Sequence, residues 1–321
     1  MVITLQKIIL KLLNKIKKIK IKKTISYQNA LFKECKNFTL LDIGAKGEIE
    51  PRWKNVAKHL DYIGIEPDER SYKSLRNSEK CKSYTILKNL TWEEDKNINF
   101  NLCKEPGVSS ILEPDINFLN RFQNADRFKI VEKKILKAES INNTKIENDL
   151  DFVKLDIQGA ELSALKGMNT KLSNCLGMEI EVEFSKMYKN QPLFGDVNNF
   201  LSNLGFEFID FTNLIRWERN QFTSYGQCVF ADALWLRSPE QIDIENIQKL
   251  NKYISICSLY GRFDLIDSLN IINKKILNRN QIIAISKLKN TQYKTRLIQK
   301  FIQSILLTTS GETSTRSHLL Y

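Results

Sequence analysis

Short apolar runs alternate with mixed polar stretches through the middle of the chain. Runs of this length and content are typical of β-strands, and they occupy residues 38–43, 62–66, 83–88, 128–137, 152–157, 176–184, 206–211 and 227–236. Helix-like stretches separate most of them, beginning for instance at Pro51 and near Glu161. This alternation predicts an α/β fold with a mostly parallel sheet, and the last two runs predict an antiparallel edge hairpin.

The acidic positions of the 176–184 run lie in a strictly alternating pattern. Glu179, Glu181 and Glu183 alternate with apolar residues, so the three carboxylates are expected on one face of a half-exposed strand. Whether that face is fully solvated or lines a cleft stays open at this point.

The first 25 residues form a segment of different character. Their apolar residues repeat at intervals of three and four, which predicts an amphipathic helix, and the other positions include eight lysines and no acid. Such a helix can lie on the anionic inner surface of a membrane. It can equally pack its apolar stripe against protein and expose its lysine face, because apolar stripes of helices are usually buried in protein.

The pattern changes again after about residue 238. Residues 239–251, 252–270 and 279–303 have helical character, and the end of the chain is polar. The predicted organisation is therefore a leader helix over 1–25, an α/β domain over 26–238, a helical appendage over 239–307 and a disordered tail over 308–321.

Charge and composition exclude several classes of protein. The formal charge is +12, but removing the eight lysines of the leader leaves 12 − 8 = +4, so a general nucleic-acid-binding surface is not indicated. No run approaches the roughly 18 consecutive apolar residues of a membrane span. The six cysteines are widely scattered, which favours free thiols in a reducing, cytoplasmic compartment. With only two histidines, no multi-histidine site is possible, and we expect no metal.

A glycine-bearing loop, residues 42–47 (DIGAKG), follows the first predicted strand. Glycine at this place lets a ligand approach the backbone. A dinucleotide loop would carry more glycines, and Glu48 and Glu50 would repel a pyrophosphate. S-adenosylmethionine carries a sulfonium and an ammonium but no phosphate, so the loop favours it over NAD. The alternative is a simple turn between strand and helix.

Glu66 ends the second predicted strand, 24 residues after Asp42. An acid at about this distance from the loop holds the ribose hydroxyls in nucleotide-binding α/β domains. The alternative is a surface glutamate at the start of the next helix.

The segment 152–167 (FVKLDIQGAELSALKG) is the most distinctive stretch. Its strand delivers Asp156 to the same edge of the sheet as the 42–47 loop, and Gly159 permits a tight turn into a helix. The segment resembles the FkbM family of methyltransferases, through a K-x-D-x-[EQ]-G-x-E-x-x-x-L-x-G pattern. Further segments of the chain resemble segments of the family and occur in the same order. They are LLDIGAKGEIEPRW, YIGIEPDE, VSSILEP, EIEVEFSKMYKNQPLFGDVNNFLSNLGFEFIDF and ADALWLR. The resemblance covers roughly residues 38–237.

The resemblance implies a Rossmann-like class I methyltransferase fold, S-adenosylmethionine as donor and a hydroxyl of a sugar, glycan or small metabolite as acceptor. It implies that the loop contacts the methionine part of the cofactor through Asp42, Gly44, Ala45, Lys46 and Gly47. It also implies that Glu66 contacts the ribose and that Asn89 lies near the adenine. Three positions depart from the family pattern: Lys46 and Glu48 stand where small residues are common, and Gln158 replaces a frequent glutamate.

Transfer of a methyl group to a hydroxyl requires a group that removes the proton. Asp156 is the candidate general base and Glu161 the second candidate, both expected to face the substrate. An ordinary aspartate pKa of about 3.9 is low for this task, so burial would have to raise it. The alternative for Asp156 is a structural cap of the helix that begins near Ala160. Acceptor contacts are expected from loops 104–125 and 185–195 and the C-terminal helices.

Three other functions remain open. A NAD-dependent sugar-modifying enzyme is opposed by the missing glycine pattern. A non-catalytic nucleotide-binding or interaction module on the same fold is opposed by the retained acids Asp42, Glu66 and Asp156. A membrane- or nucleic-acid-binding protein would depend on residues 1–25. The sequence predicts neither the identity of the acceptor nor the oligomeric state.

Overall fold

The computed structural model describes residues 22–76, 80–219, 226–272 and 276–309. The chain divides into two compact units, one formed by residues 37–242 and the other by residues before 37 and after 242. Most of the predicted leader helix and nearly all of the predicted tail lie outside the described residues. Both therefore stay predictions.

Strands in the 37–242 unit form a seven-stranded and a three-stranded sheet. They are β1 (Phe38–Ile43), β2 (Leu60–Ile65), β3 (Ser83–Leu87), β4 (Leu90–Thr91), β5 (Lys96–Cys103), β6 (Ile130–Glu139), β7 (Phe152–Leu155), β8 (Gly177–Glu183), β9 (Phe206–Trp217) and β10 (Gln227–Arg237). The large sheet has the order β3-β2-β1-β7-β8-β10-β9. Its first five strands are parallel, and β10 is antiparallel to both β8 and β9. The predicted parallel sheet with an antiparallel edge is confirmed.

The small sheet, β4-β6-β5, is the part of the fold that the apolar pattern described least well. The run at 128–137 predicted a strand, and β6 is that strand, but it pairs with β5 and β4 rather than with the main sheet. β5 (KNINFNLC) begins with alternating polar residues and is buried only in its second half. A strand of this kind has a weak apolar signature because one end of it is solvated.

Short helices lie between strands in the 37–242 unit, and further helices form the other unit. They are α1 (residues 22–32, its described part), α2 (Pro51–Lys54), α3 (Glu69–Tyr72), α4 (Ile116–Leu119), α5 (Glu161–Lys166), α6 (Phe194–Asn203), α7 (Ile247–Leu259), α8 (Phe263–Ile272) and α9 (Arg279–Thr309). α3 is a single helical turn that ends at Tyr72. Beyond it the Arg76 amide donates to the carbonyl of Gly47, so the chain turns toward the 42–47 loop instead of continuing the helix.

The core of the 37–242 unit lies around the central strands. β1 and β8 are buried along their whole length, and Val153, Leu155, Ile180 and Trp235 belong to one contiguous apolar cluster. Because the central strands are covered on both faces, the polar side chains that remain there must find partners inside the protein. Those polar side chains form the site described below.

The second unit is held together by polar contacts between its helices. Asn251 on α7 donates to the carbonyl of Glu34, just after α1, and accepts from Gln281 on α9 (2.8 Å). These contacts group residues up to 36 with the C-terminal helices, whereas the sequence suggested a boundary at residue 25. Among the described residues, no helix is long and apolar enough to cross a membrane. All six cysteines are free thiols.

Candidate active site

A cavity of about 280 Å³ lies where the parallel strands β1, β2 and β7 end. Ligands of open α/β sheets bind at this edge, outside the carboxyl ends of the strands. Gly44, Lys46, Glu66, Asn89 and Asp156 of the predicted site line the cavity, so the fold brings these separate motifs together. The part near Gly44 and Glu66 is called the donor end below, and the part beyond Asp156 the acceptor end.

Gly44 allows two loops to meet at the donor end. Its φ of +87° is in the left-handed region, and its amide donates to the carbonyl of Ile65 (2.9 Å). A Cβ at this position would lie 1.8 Å from the carbonyl oxygen of Asp156. Only glycine therefore fits between the β1 loop and the segment after β7.

Asp42 lies beneath this loop, outside the residues that line the cavity. Its Oδ2 accepts a hydrogen bond from the Tyr62 hydroxyl (2.8 Å), and its Oδ1 is 3.8 Å from Nζ of Lys154. Burial opposes the charge of Lys154, but the surrounding carboxylates, Asp42 first, outweigh it and raise its pKa. Asp42 thus stabilises the floor of the site through buried, charge-assisted contacts.

Ala45 and Gly47 also lie outside the cavity lining. Ala45 is buried and its amide donates to the carbonyl of Ile65. Gly47 has a φ of +66°, and its amide donates to the Ser74 hydroxyl (3.2 Å). These two residues shape the backbone of the loop, whereas Lys46 reaches the cavity rim and pairs with Glu105 (3.7 Å).

Glu66 presents a buried carboxyl group to the donor end. Only 8% of the residue is exposed, and its Oε1 accepts the amide of Asp68 (2.6 Å). Burial raises the pKa of Glu66 to about 8, and the neighbouring carboxylates of Asp68 and Asp156 act in the same direction. Asn89, across the cavity lining, donates its amide to Glu139.

A loop over residues 104–112 covers the cavity and is held by two side chains that sequence reasoning missed. Arg70 pairs with Asp68 (2.6 Å) and donates to the Ser109 hydroxyl (3.1 Å). The buried Asn101 amide is placed to donate to the carbonyls of residues 110, 111 and 112, at 3.0 to 3.2 Å. Asparagine in a polar strand gives no distinctive signal, so this clamp is visible only in the structure.

Two carboxylates meet at the acceptor end. The Nε2 of Gln158 lies 2.9 Å from Oδ1 of Asp156 and 2.7 Å from Oε1 of Glu181, so one amide group donates to both. The Gln158 carbonyl oxygen is 3.1 Å from the Tyr188 hydroxyl, which fixes the amide orientation. Gln158 itself adopts a left-handed φ of +59°, and Ser110 donates to its backbone carbonyl (2.8 Å). The residue that departs from the family pattern therefore bridges the two acids.

The carboxylates of β8 are buried rather than half-exposed. Glu179, Glu181 and Glu183 are 6%, 7% and 2% exposed, so the sequence-based expectation of a half-exposed strand is wrong. β8 lies inside the sheet, with β7 and β10 as neighbours, and all seven of its residues are buried on whichever face they lie. Arg52 neutralises Glu179 through contacts of 2.9 and 3.1 Å. Burial and the neighbouring carboxylates of Asp156 and Glu183 raise the pKa of Glu181 well above its ordinary value.

Glu161 points into the turn before α5 and does not line the cavity. Its Oε1 accepts the amides of Ile157 (2.8 Å) and Gly159 (3.1 Å), and the residue is 2% exposed. Burial raises the pKa of Glu161 to about 7, although these backbone donors oppose the shift. The structure therefore places Glu161 as a support of the segment that carries Asp156.

The outer wall of the acceptor end is aromatic and carries one cation. Phe128, Met187, Trp217 and Phe230 line it together with Arg127. Met187 comes from one of the loops predicted to hold the acceptor, and so do Pro106 to Ser109, but Trp217 and Phe230 come from the edge hairpin. Sequence reasoning missed these residues because each lies in an element whose packing, not whose motif, brings it to the cavity.

The site thus has a backbone-lined donor end with a buried carboxyl group, and an acceptor end with paired acids facing an aromatic wall.

A family model described as the methyltransferase FkbM domain matches residues 42–208, about half of the chain. No curated protein sequence matches the chain.

Several solved structures are similar to the chain at low identity. The structure of methyltransferase FkbM from Methylobacillus flagellatus is 15% identical with a TM-score of 0.38, and the match covers 62% of this chain and 43% of that one. The chain therefore spans less than half the length of that protein. Magnesium protoporphyrin IX methyltransferase from Synechocystis, solved with bound S-adenosylmethionine, is 10% identical with a TM-score of 0.31, over 68% of this chain and 81% of that one. A TehB-like methyltransferase from Corynebacterium glutamicum is 11% identical with a TM-score of 0.28, over 66% and 88%.

Proposed function

The chain belongs to the FkbM methyltransferase domain family, and from this premise we propose that it transfers a methyl group from S-adenosylmethionine to a hydroxyl of a sugar, a glycan or another small metabolite. One observation carries the proposal. A single cavity joins the Gly44–Glu66 edge of the sheet to the paired carboxylates of Asp156 and Glu181. The first part suits the donor and the second suits an acceptor that must lose a proton.

The donor end fits a cofactor that has ribose hydroxyls and no phosphate. Its lining contains the carboxyl groups of Glu66 and Asp68, and Lys46 at the rim is already paired with Glu105. No unpaired cation among the described residues is left at this end to bind a pyrophosphate, whereas the carboxyl group of Glu66 can hydrogen-bond to ribose hydroxyls with or without its proton. Glu66 would hold the ribose hydroxyls, Asn89 would lie near the adenine, and the backbone beside Gly44 would pack against the methionine part.

The cofactor supplies a methyl group on a positively charged sulfur, which is already activated for in-line displacement. The protein has to align the acceptor oxygen with that carbon, a contribution that reaches several kcal/mol in well-oriented reactions. Asp156 is assigned the role of proton acceptor, because it lines the cavity and one of its oxygens is fixed by Gln158. Glu181 is the second carboxylate, held by the same amide. Glu161 is assigned to support of the turn.

A compact polar acceptor suits this end of the cavity better than a nucleic acid. Asp156 and Glu181 place two carboxyl groups where the acceptor would bind. A phosphate backbone gains its binding energy from clusters of lysine and arginine, which this lining does not offer among the described residues. Hydroxyl groups, in contrast, donate readily to carboxylates.

The test is calorimetric binding of S-adenosylhomocysteine to the full chain, with NAD as comparator. Glu66→Gln replaces the carboxyl group by an amide that keeps an acceptor for the Asp68 amide, so it isolates the cofactor contact. We expect about tenfold weaker binding, as for the loss of one hydrogen bond.

Glu69→Gln is the matched control, because Glu69 is exposed on α3 and does not line the cavity. It is expected to bind S-adenosylhomocysteine like the wild type. Binding of NAD in place of S-adenosylhomocysteine would contradict the proposal, and binding of neither would favour a non-catalytic module on this fold.

A further inference from the structure

Arg127 lies at the acceptor end with its guanidinium close to two aromatic side chains. Its Cζ is 4.9 Å from the ring centre of Phe128 and 5.0 Å from that of Trp217. The residue is half-buried, and it lines the same cavity as Asp156 and Glu181. Contact with aromatic rings at these distances stabilises a guanidinium and leaves its terminal N–H groups able to donate.

The hydrogen-bonding capacity of this guanidinium is not used within the described part of the chain. The Nε of Arg127 is shielded from solvent and has no acceptor among the described residues. The neighbouring carboxylate, Asp126, pairs with Lys104 instead. A buried N–H donor of a charged group is costly to leave without an acceptor.

We propose that Arg127 binds an anionic group of the methyl acceptor, a carboxylate, phosphate or sulfate attached to the hydroxyl-bearing molecule. This inference rests on the proposed methyl transfer and names the class of its substrate. A planar guanidinium with free edge donors matches the two oxygens of an oxyanion, which is the arrangement that recognises carboxylate and phosphate in proteins.

The distribution of charge in the cavity gives such a molecule one orientation. Asp156 repels an anion, whereas Arg127 attracts it. The anionic group therefore settles at Arg127, and a hydroxyl elsewhere on the molecule is turned toward the carboxyl groups of Asp156 and Glu181. A neutral acceptor would lack this orienting force, so the arrangement contributes to selectivity as well as to affinity.

The aromatic wall supports a ring-shaped acceptor between these two charged regions. Trp217 and Phe230 lie edge to face, with ring centres 5.9 Å apart, and both border the cavity. Aromatic rings of this kind provide apolar contact area at low cost in conformational entropy. The geometry thus points to an anionic sugar, such as a uronic acid or a sugar phosphate, rather than a neutral one.

The test uses two sugars that differ at one carbon, D-glucuronate and D-glucose, with glucose 6-phosphate as the phosphate probe. Binding is measured by calorimetry to the full chain saturated with S-adenosylhomocysteine. For the wild type we expect glucuronate or glucose 6-phosphate to bind about tenfold or more tightly than glucose, as a charged hydrogen bond predicts. Arg127→Gln is expected to reduce anion binding to the level of glucose, and Arg127→Lys to reduce it in part.

Arg121→Gln is the matched control. Arg121 also lies over a phenylalanine ring, at 5.4 Å from Phe118, but it is exposed and does not line the cavity. It should keep the anion preference. Equal binding of both anions and glucose by the wild type, or an unchanged preference in Arg127→Gln, would overturn the inference. If the wild type did not bind S-adenosylhomocysteine, the proposed function itself would be contradicted, so the two failures are distinguishable.

Discussion

The two ends of the cavity are built in different ways. The donor end comes from short, contiguous loops that follow neighbouring strands, and its shape depends on the backbone at Gly44 and on the single side chain of Glu66. The acceptor end is assembled from side chains that lie far apart in the chain, such as Arg127, Asp156 and Trp217. The first kind of construction leaves a motif in the sequence, and the second does not.

The difference also extends to how each end is held in place. At the donor end, main-chain hydrogen bonds from Gly44 and Ala45 to Ile65 fix the loop. At the acceptor end, side-chain amides form the corresponding hydrogen bonds. Asn101 binds the covering loop, and Gln158 binds the paired acids. We therefore expect the donor end to be sensitive to steric change of the backbone, and the acceptor end to loss of single polar groups.

The largest effect is expected for Gly44→Ala. The added Cβ would lie 1.8 Å from the Asp156 carbonyl oxygen at a φ of +87°, so the β1 loop or the segment after β7 must shift. The free energy of unfolding should fall by about 3 kcal/mol or more, as for severe steric conflict at a strained position. Binding of S-adenosylhomocysteine should be lost. Urea unfolding and calorimetry measure the two effects.

Gly195→Ala is the control for that substitution. Gly195 lies in α6, and among the described residues no atom lies within 4 Å of the position its Cβ would take. Alanine is there expected to be neutral or to stabilise by up to about 1 kcal/mol, because it lowers the entropy of the unfolded chain. Equal losses in the two variants would show that the loop contact at Gly44 is not the cause.

An intermediate effect is expected for Asn101→Ala, which tests the side-chain clamp. It removes the amide from three backbone carbonyls of the 104–112 loop. A loss of about 2 kcal/mol is expected, since buried acceptors lose their donor. Hydrogen exchange should increase over residues 108–112, while affinity for S-adenosylhomocysteine changes less than in Gly44→Ala.

The matched variant is Asn99→Ala, two residues earlier on β5 and exposed. Its stability should stay within about 0.5 kcal/mol of the wild type. A loss in Asn99→Ala as large as that in Asn101→Ala would mean that the strand, rather than the clamp, determines the stability of the loop.

The change in stability expected for one unit of pH is the smallest of these effects, and it acts through the buried acids at both ends. Burial raises the pKa of Glu66 from 4.5 to about 8 in the folded protein. Between these values the folded state binds more protons than the unfolded state, so stability should fall as pH rises through this window. Glu181 and Glu183 have pKa values shifted in the same direction.

Urea unfolding at several pH values between about 5 and 9 measures this dependence. Glu66→Gln should make the slope shallower, by about 1 kcal/mol per pH unit at most for one carboxyl group. Glu69→Gln, at an exposed position, should leave the slope unchanged. Stability that rises over this range would contradict the assignment of Glu66 as a carboxyl group kept protonated by burial.

Local patterns were sufficient for much of the fold and for the donor end. The apolar runs located the strands of the main sheet, and the spacing of the 42–47 loop, Glu66 and Asp156 indicated that all three reach one edge of it. That indication worked because parallel strands place their carboxyl ends together. The pattern did not separate residues that line the cavity, such as Gly44, from those that support it, such as Asp42. Orientation of one side chain relative to a neighbouring strand is not encoded in spacing.

Burial of β8 and the composition of the acceptor end depended on long-range packing. Alternating glutamates are typical of a half-exposed strand, yet all of β8 is buried, and two of its acids, Glu179 and Glu181, are bound by Arg52 and Gln158 from distant segments. Arg127 and Trp217 likewise meet only because the segment before β6 and the edge hairpin border the same cavity.

The sequence by itself therefore determined the α/β class, the order of the central strands along the chain and the segments that meet at one edge of the sheet, because these follow from local periodicity and from glycine and acid positions. The tertiary structure alone decided which acids are paired, which are neutralised, and where a cation lines the cavity. Those properties depend on distances between residues that are remote in the chain, and electrostatic and packing energies are set by such distances.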